Sequence, residues 1–181
     1  MQFLGGCQGL LGWYMVRSGL VDRPSVSQYR LTAHLGLAVA LFSAIVWQAL
    51  SLWRGPASEV SAGHGGRGKG VVALTLVLLV YLMILSGGLV AGMDAGRVYP
   101  TWPLMGETFA PPGLYSTSPG WVAAFEDAIT IQFNHRMFAY FLCAVVGGFA
   151  LTLLLRGRPG YGAMVLGALV LQVGLGISTL L

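Results

Sequence analysis

Residues 132–155 read QFNHRMFAYFLCAVVGGFALTLLL, a histidine and an arginine side by side at the edge of a long uncharged run. About 20 apolar residues are enough to cross the hydrocarbon core of a bilayer as a helix. An ionisable residue at the edge of such a segment is costly and is by default a functional hypothesis. The stretch therefore predicts a membrane-spanning helix with His135 in its first turn.

The composition of the whole chain agrees with a membrane protein. Of 181 residues, 56% are hydrophobic and 9% are charged, whereas an average soluble domain has about 25% charged residues. The formal net charge of +4 comes from basic residues at loops and helix ends, which favours lipid headgroups and argues against a nucleic-acid partner. Cys7 and Cys143 lie inside apolar runs and are predicted to be packing residues. We identify no signal-peptide pattern before the first apolar run.

Five apolar segments predict an all-α membrane protein with five transmembrane helices. They cover residues 1–16, 31–53, 71–92, 133–155 and 161–181, and the long loop is 93–132. We interpret residues 1–181 as a single transmembrane helical domain. In the loop, Trp121 and Phe125 at i and i+4 predict a short amphipathic helix on the membrane surface. The spacing of Gly88 and Gly92 favours close helix packing.

Two histidines carry the strongest chemical signal. Because successive spans alternate in direction, His34 and His135, each opening a predicted helix, are expected at the same membrane face. Membrane haem proteins hold a porphyrin between helices by axial histidines, so both are candidate haem iron ligands. His135 could equally serve helix packing, and His64 in the glycine-rich stretch is assigned no role. Four arginines near that face could pair with haem propionates or be plain interfacial charges: Arg17, Arg30, Arg97 and Arg136.

A glutamine and glycine pattern occurs twice. Gln8 and Gly12 in the first predicted helix match Gln172 and Gly176 in the last. If the two helices are equivalent members of two repeats, the chain is the middle of a longer protein of eight helices. Each half would be a four-helix bundle with two facing histidines. The chain is then expected to be truncated at both ends and to lack one histidine of each pair.

Five motifs carry a resemblance to a known family. They are GWYMVRSGL (12–20), VSQYRLTAHL (26–35), GMDAG (92–96), WPLM (102–105) and QFNHR (132–136). Together they resemble the haem A synthase family, in particular its mitochondrial and alphaproteobacterial type. The resemblance covers nearly the whole chain. It implies a pseudo-symmetric pair of four-helix bundles, of which this chain corresponds to the third to seventh of eight transmembrane helices.

The resemblance implies an oxidoreductase that makes haem A for cytochrome c oxidase assembly. Successive hydroxylations would oxidise a ring methyl of haem O to a formyl group. His34 corresponds to an axial ligand in the half that holds the substrate haem, and His135 to one in the half that holds haem b. Arg136 and Arg97 are the candidates for binding haem propionates. The family's catalytic loop glutamate has no counterpart here, so the catalytic residues are unknown and the fragment is expected to be inactive alone.

The resemblance also implies a location and partners. The location is the bacterial inner membrane or the mitochondrial inner membrane. The expected partners are haem O and haem A, membrane lipid, haem O synthase and an electron donor, and a homo-oligomer is left open.

Two other functions are open at this point. A cytochrome b-like membrane electron carrier would use His34 and His135 to bind haem without modifying it. A small transporter would use the same histidines as proton-coupling groups and would show no haem absorption. Conversion of haem O to a formylated haem distinguishes the enzyme from both.

Overall fold

The computed structural model describes residues 2–19, 26–54 and 66–181, so His64 lies outside the described residues. The described chain is helical, which confirms the all-α class. Its elements are α1 (Gln2–Gly19), α2 (Gln28–Arg54), α3 (Gly66–Gly92), a 3₁₀ helix (Ala95–Arg97), α4 (Gly120–Glu126), α5 (Ala128–Leu155) and α6 (Pro159–Leu180). The chain divides into two compact units, Met1–Gly88 and Leu89–Leu181.

Helices of membrane-spanning length dominate the fold. Within the described ranges, four helices are long and apolar enough to cross a bilayer: Gln28–Trp53, Gly70–Gly92, Ala128–Leu155 and Pro159–Leu180. Helix α1 is not among them, so the predicted count of five spans is not confirmed. The physical reason is composition, because the glycines of α1, together with Gln8 and Arg17, contribute little hydrophobicity.

Glycines let the helices of the first unit approach closely. A Cβ atom at Gly36 of α2 would lie 2.8 Å from Leu85 Cδ2 and 2.9 Å from the Tyr81 hydroxyl on α3. A Cβ atom at Gly88 of α3 would lie 2.9 Å from Thr32 Oγ1 and 3.2 Å from Thr32 Cα. Small residues are used in this way where helix backbones come together in membranes. The packing role predicted for Gly88 is therefore confirmed.

In the second unit, α5 and α6 form an antiparallel pair. Helix α5 ends at Leu155, and Gly157 two residues later has a φ of 74°, a left-handed conformation that suits glycine. The next amide, of Arg158, donates to the carbonyl of Leu153 at 3.0 Å. Beyond this turn, a Cβ atom at Gly162 would lie 2.7 Å from Leu154 Cγ and Cδ2. The two helices are thus packed tightly where α6 begins.

Helix α5 starts earlier than its apolar run. Asp127 caps its N-terminus by accepting from the Thr130 amide at 2.9 Å and from the Thr130 hydroxyl. The amide of Tyr115 donates to the same hydroxyl oxygen at 3.0 Å. Residues 128–132 are therefore helical rather than part of the loop, and His135 is the eighth residue of α5. Placing His135 in the first turn was wrong, because the cap and not hydropathy decides where the helix begins.

Helix α2 shows the same effect. It begins at Gln28, and the Leu31 amide donates to the Ser27 carbonyl at 3.0 Å. His34 is thus the seventh residue of α2, in the second turn and not the first.

The long connection contains more regular structure than a loop. The 3₁₀ helix and α4 both lie within it. Helix α4 is the short helix that Trp121 and Phe125 predicted, with Ala123 fully buried and the Trp121 side chain 71% exposed. Its place on the membrane surface stays a prediction.

Candidate functional site

In the first unit, His34 of α2 lies against one face of α1. The amide nitrogen of Gln8 is 3.2 Å from His34 Nε2 and donates to the His34 carbonyl oxygen, also at 3.2 Å. One turn further along α1, a Cβ atom at Gly12 would lie 3.1 Å from Cε1 of the imidazole. Gln8 and Gly12 share a helix face because they are four residues apart. The absence of a side chain at Gly12 therefore makes the space that the ring edge occupies.

Several polar atoms at this contact are not paired. His34 Nδ1 and Gln8 Oε1 are buried and have no hydrogen-bond partner within the described ranges. The same is true of Thr32 Oγ1, which lies on the side of α2 that faces Gly88 of α3. Nearly all buried polar atoms in native proteins are paired with protein or ordered water, and exceptions point to strain, a functional role, or a bound water or ion. The His34 contact is thus a polar site inside an apolar pair of helices.

In the second unit, Arg136 is the arginine that the fold buries. Its side chain is on α5, and the residue is 7% exposed. Nη2 donates to the Tyr99 carbonyl at 2.7 Å, and Nη1 donates to the carbonyls of Thr101 at 2.8 Å and Leu104 at 3.2 Å. A guanidinium has five N–H donors. Three of those donors hold the segment that follows the 3₁₀ helix, which we call the 99–104 loop.

Two further side chains of α5 hold the same region. Gln132, which is 2% exposed, donates from Nε2 to the carbonyls of Gly96 at 3.2 Å and Tyr99 at 3.1 Å. The Tyr140 hydroxyl donates to the Pro103 carbonyl at 3.4 Å. Because Gln132, Arg136 and Tyr140 follow one another at intervals of four, they form one stripe on α5. His135 borders this stripe in a half-buried position.

Arg97 is in a different environment from Arg136. Its side chain is 86% exposed and pairs with Asp94 at 3.6 Å. It lines an open cavity of about 470 Å³ beside Thr179 and Leu180 at the end of α6. Arg97 can therefore reorient toward an anionic group, whereas Arg136 is already fixed by the loop.

The two other candidate arginines rest on aromatic rings. The guanidinium of Arg17 lies 5.2 Å from the centroid of the Trp13 ring, and that of Arg30 lies 4.9 Å from the centroid of the Tyr14 ring. Such cation–π contacts suit the interfacial end of a membrane helix.

The structure brings together part of the predicted set. His135, Arg136 and Arg97 all belong to the second unit, and His34 belongs to the first. The common membrane face of His34 and His135 stays a prediction.

Sequence reasoning did not assign a role to two residues of these sites. Gln8 was identified only as a member of the repeated pattern, and Gln132 only as part of a motif. The available signal was the same for both, since a glutamine within an apolar helix is costly unless its amide finds partners.

Comparison with known proteins follows from this picture of polar side chains in apolar helices. All 181 residues match the model of the COX15-CtaA family, described as cytochrome oxidase assembly protein. The chain belongs to this family. With four helices of spanning length, this member of the COX15-CtaA family is an integral membrane protein, and its bacterial relatives indicate the bacterial inner membrane.

Relatives from several bacteria carry the name Heme A synthase. The one from Nitrosospira multiformis is 47% identical over 184 residues, 98% of this chain and 51% of the relative. The one from Parvibaculum lavamentivorans is 48% identical over 143 residues, 79% of this chain and 40% of the relative. The one from Paracoccus denitrificans is 42% identical over 188 residues, 98% of this chain and 48% of the relative. The chain thus spans about half the length of these relatives, and no solved structure matches it.

Proposed function

We propose that this chain is the central part of a haem A synthase. The reaction would oxidise a ring methyl group of haem O to the formyl group of haem A, which cytochrome c oxidase uses. The proposal is supported by the relatives named Heme A synthase, which are 42–48% identical to this chain. The structural observation that carries it is the His34 site, an imidazole in an apolar helix with buried polar atoms that have no partner within the described ranges.

The chemistry of the His34 site fits an axial ligand to the iron of the substrate haem. A histidine ligates iron through the lone pair of an unprotonated ring nitrogen. Nε2 of His34 faces an amide nitrogen of Gln8 at 3.2 Å, as a hydrogen-bond acceptor would. Because Gly12 has no side chain, the imidazole can pack against α1 at this position, where a Cβ atom would lie 3.1 Å from its Cε1.

His135 and its neighbours fit the half that would hold haem b. His135 is half-buried on α5 beside Arg136, and it would ligate the iron of that haem. Haem b, when bound, would supply electrons for the oxidation. Arg97, exposed on the connection, would pair with a propionate. Arg136 would contribute through the two N–H donors that the 99–104 loop does not use, while its other three hold that loop in place.

The surrounding residues set the environment of these ligands. Both imidazoles lie on apolar helices, where they are half-buried. The stripe on α5 fixes the 99–104 loop through Gln132, Arg136 and Tyr140. Membrane lipid surrounds the helices, and haem O synthase and an electron donor complete the proposed set of partners. The catalytic residues of the reaction are not assigned to this chain.

A chimera tests the proposed function. Residues 1–181 would replace the matching segment of the Paracoccus denitrificans relative in cells that make haem O, and the extracted haems would be identified by mass. We expect haem A from the chimera and its loss in His34→Ala and His135→Ala. The control His64→Ala, at the one histidine to which no role is assigned, should retain the product.

The alternatives predict different results. A chimera that holds haem O or haem b without forming a formylated haem would support the electron carrier. A chimera that inserts normally into the membrane but binds no haem would contradict both the enzyme and the electron carrier. That result would favour the transporter. The names of the three relatives do not favour either alternative.

A further inference from the structure

The contact between Gln8 and His34 determines which ring nitrogen carries the proton. The Gln8 amide nitrogen lies 3.2 Å from both the carbonyl oxygen and the Nε2 atom of His34. A carbonyl oxygen can only accept, so the side of the amide facing it must be the NH₂ group. That group has two hydrogens, so it can donate the second one to Nε2, which lies at the same distance. In that arrangement Nε2 is the unprotonated nitrogen of the neutral ring, and Nδ1 carries the hydrogen.

This tautomer is the one that iron coordination through Nε2 requires. The lone pair of Nε2 is already formed, and no proton must leave before a metal can bind. At present, however, an N–H of Gln8 occupies the direction of that lone pair.

Other polar atoms of Gln8 and His34 lack hydrogen-bond partners, which is unusual for a contact that serves only packing. Nδ1 of His34 and Oε1 of Gln8 are buried and have no partner within the described ranges. An apolar side chain at position 8 would avoid the second of these costs. The glutamine is thus a poor choice for packing alone.

The face of α1 that bears Gln8 and Gly12 is also the face that approaches His34 most closely. Gly12 lets α1 approach the imidazole, since its Cβ atom would lie 3.1 Å from Cε1. At Gly9, three residues earlier, a Cβ atom would meet nothing within 4 Å. The close approach is therefore specific to the face that bears Gln8 and Gly12.

From these contacts we propose that Gln8 is a positioning residue for His34: it holds the imidazole in the Nδ1–H tautomer, occupies the place of the iron at Nε2, and moves aside when haem binds. This inference rests on the proposed function for its ligand, but its tautomer claim does not. Its consequence is that haem competes with one hydrogen bond from Gln8.

The tautomer is measured first, without haem. ¹⁵N-histidine NMR of the 181-residue chain in detergent micelles distinguishes a protonated Nδ1 from a protonated Nε2, with His34→Gln used to assign the signals. We expect Nδ1–H in the natural chain and a mixture of tautomers in Gln8→Leu. Gln48→Leu is the matched control, because Gln48 is exposed on α2 about 21 Å along the helix from His34. A protonated Nε2 in the natural chain overturns the proposal.

Haem uptake is measured second, by the Soret absorption of the same variants and of the chimera carrying them. In Gln8→Leu, haem no longer competes with the hydrogen bond from the Gln8 amide to His34. One net hydrogen bond of this kind predicts haem uptake about fivefold faster in Gln8→Leu than in the natural chain or in Gln48→Leu. Equal uptake rates would overturn the proposal that Gln8 occupies the place of the iron at Nε2, even where the tautomer is as expected. If no variant takes up haem, the proposed function fails together with that proposal, while the NMR result still decides whether Gln8 sets the tautomer of His34.

Discussion

Replacing Arg136 by methionine tests how the connection before α5 is held. The substitution keeps an unbranched apolar side chain but removes every N–H donor. The carbonyls of Tyr99, Thr101 and Leu104 would each lose one hydrogen bond at the same time. The Tyr99 carbonyl would keep the donor from Gln132, and the Leu104 carbonyl would keep the donor from the Thr101 hydroxyl. We expect the 99–104 loop to open locally while α5 itself stays helical.

The magnitude follows from the three hydrogen bonds. A hydrogen bond from a charged donor contributes about 1.5–3 kcal/mol. Thr101 and Leu104 are exposed, so water would replace the guanidinium at their carbonyls and the lower figure applies. Three such bonds give about 4.5 kcal/mol, which corresponds to roughly a two-thousandfold change in the opening equilibrium of the loop. Because the carbonyls of Tyr99 and Leu104 each keep a second donor, this figure is an upper bound.

Hydrogen exchange provides the assay. The Met105 amide donates to the Thr108 carbonyl at 2.8 Å, and the Gly106 amide donates to the Thr101 hydroxyl at 2.8 Å. Both amides report opening of the loop, because exchange requires these bonds to break. Mass spectrometry after deuterium labelling in micelles should show a loss of protection of 100-fold to 1000-fold in Arg136→Met.

The matched control is Arg97→Met. Its side chain is 86% exposed and makes an ion pair with Asp94, and such pairs contribute little to stability. We expect less than about a fivefold change in protection. Equal effects of the two substitutions, or unchanged protection at Met105 in Arg136→Met, would refute the assignment of Arg136 as the anchor of the loop.

Two stability predictions concern the ends of α5. Gly162→Ala should destabilise the pair of helices by about 1–3 kcal/mol in a thermal unfolding assay, because the new Cβ would lie 2.7 Å from Leu154 Cγ and Cδ2. Gly160→Ala is the control, since its Cβ would have nothing within 4 Å, and it should be neutral or slightly stabilising in the same assay. Equal losses of stability in the two variants would contradict the reasoning. Asp127→Ala should cost about 1 kcal/mol and speed exchange at the Thr130 amide, while Asp127→Asn, which can still cap, should retain most of the protection; failure of asparagine to do so would show that capping is not the cause.

Local patterns predicted the elements of the fold well. The uncharged runs located the four helices of spanning length, because hydropathy over about 20 residues is a local property. The same information predicted the ends poorly. Asp127 begins α5 through a side-chain cap that a hydropathy run does not register. Helix α2 begins at Gln28, three residues before its uncharged run. The count of five spans was the weakest expectation, since α1 is glycine-rich and less apolar.

The candidate site was only partly readable in the sequence. His34, His135 and Arg136 could be singled out, since an ionisable side chain in an apolar helix is conspicuous by itself. The sequence did not show that Arg136 holds a loop or that Arg97 is exposed beside a cavity, because both depend on contacts with distant segments.

The sequence by itself determined the membrane class and the family, since these follow from composition and from motifs that are contiguous in the chain. It also singled out the two histidines that we propose as haem ligands. The tertiary structure alone decided what those residues contact. Gln8 meets His34 across 26 residues, and Arg136 meets Tyr99 across 37. Such pairings depend on which segments and helix faces come together in space. Glycines that allow close approach, such as Gly12 beside His34, contribute to this, and it cannot be read from the local sequence.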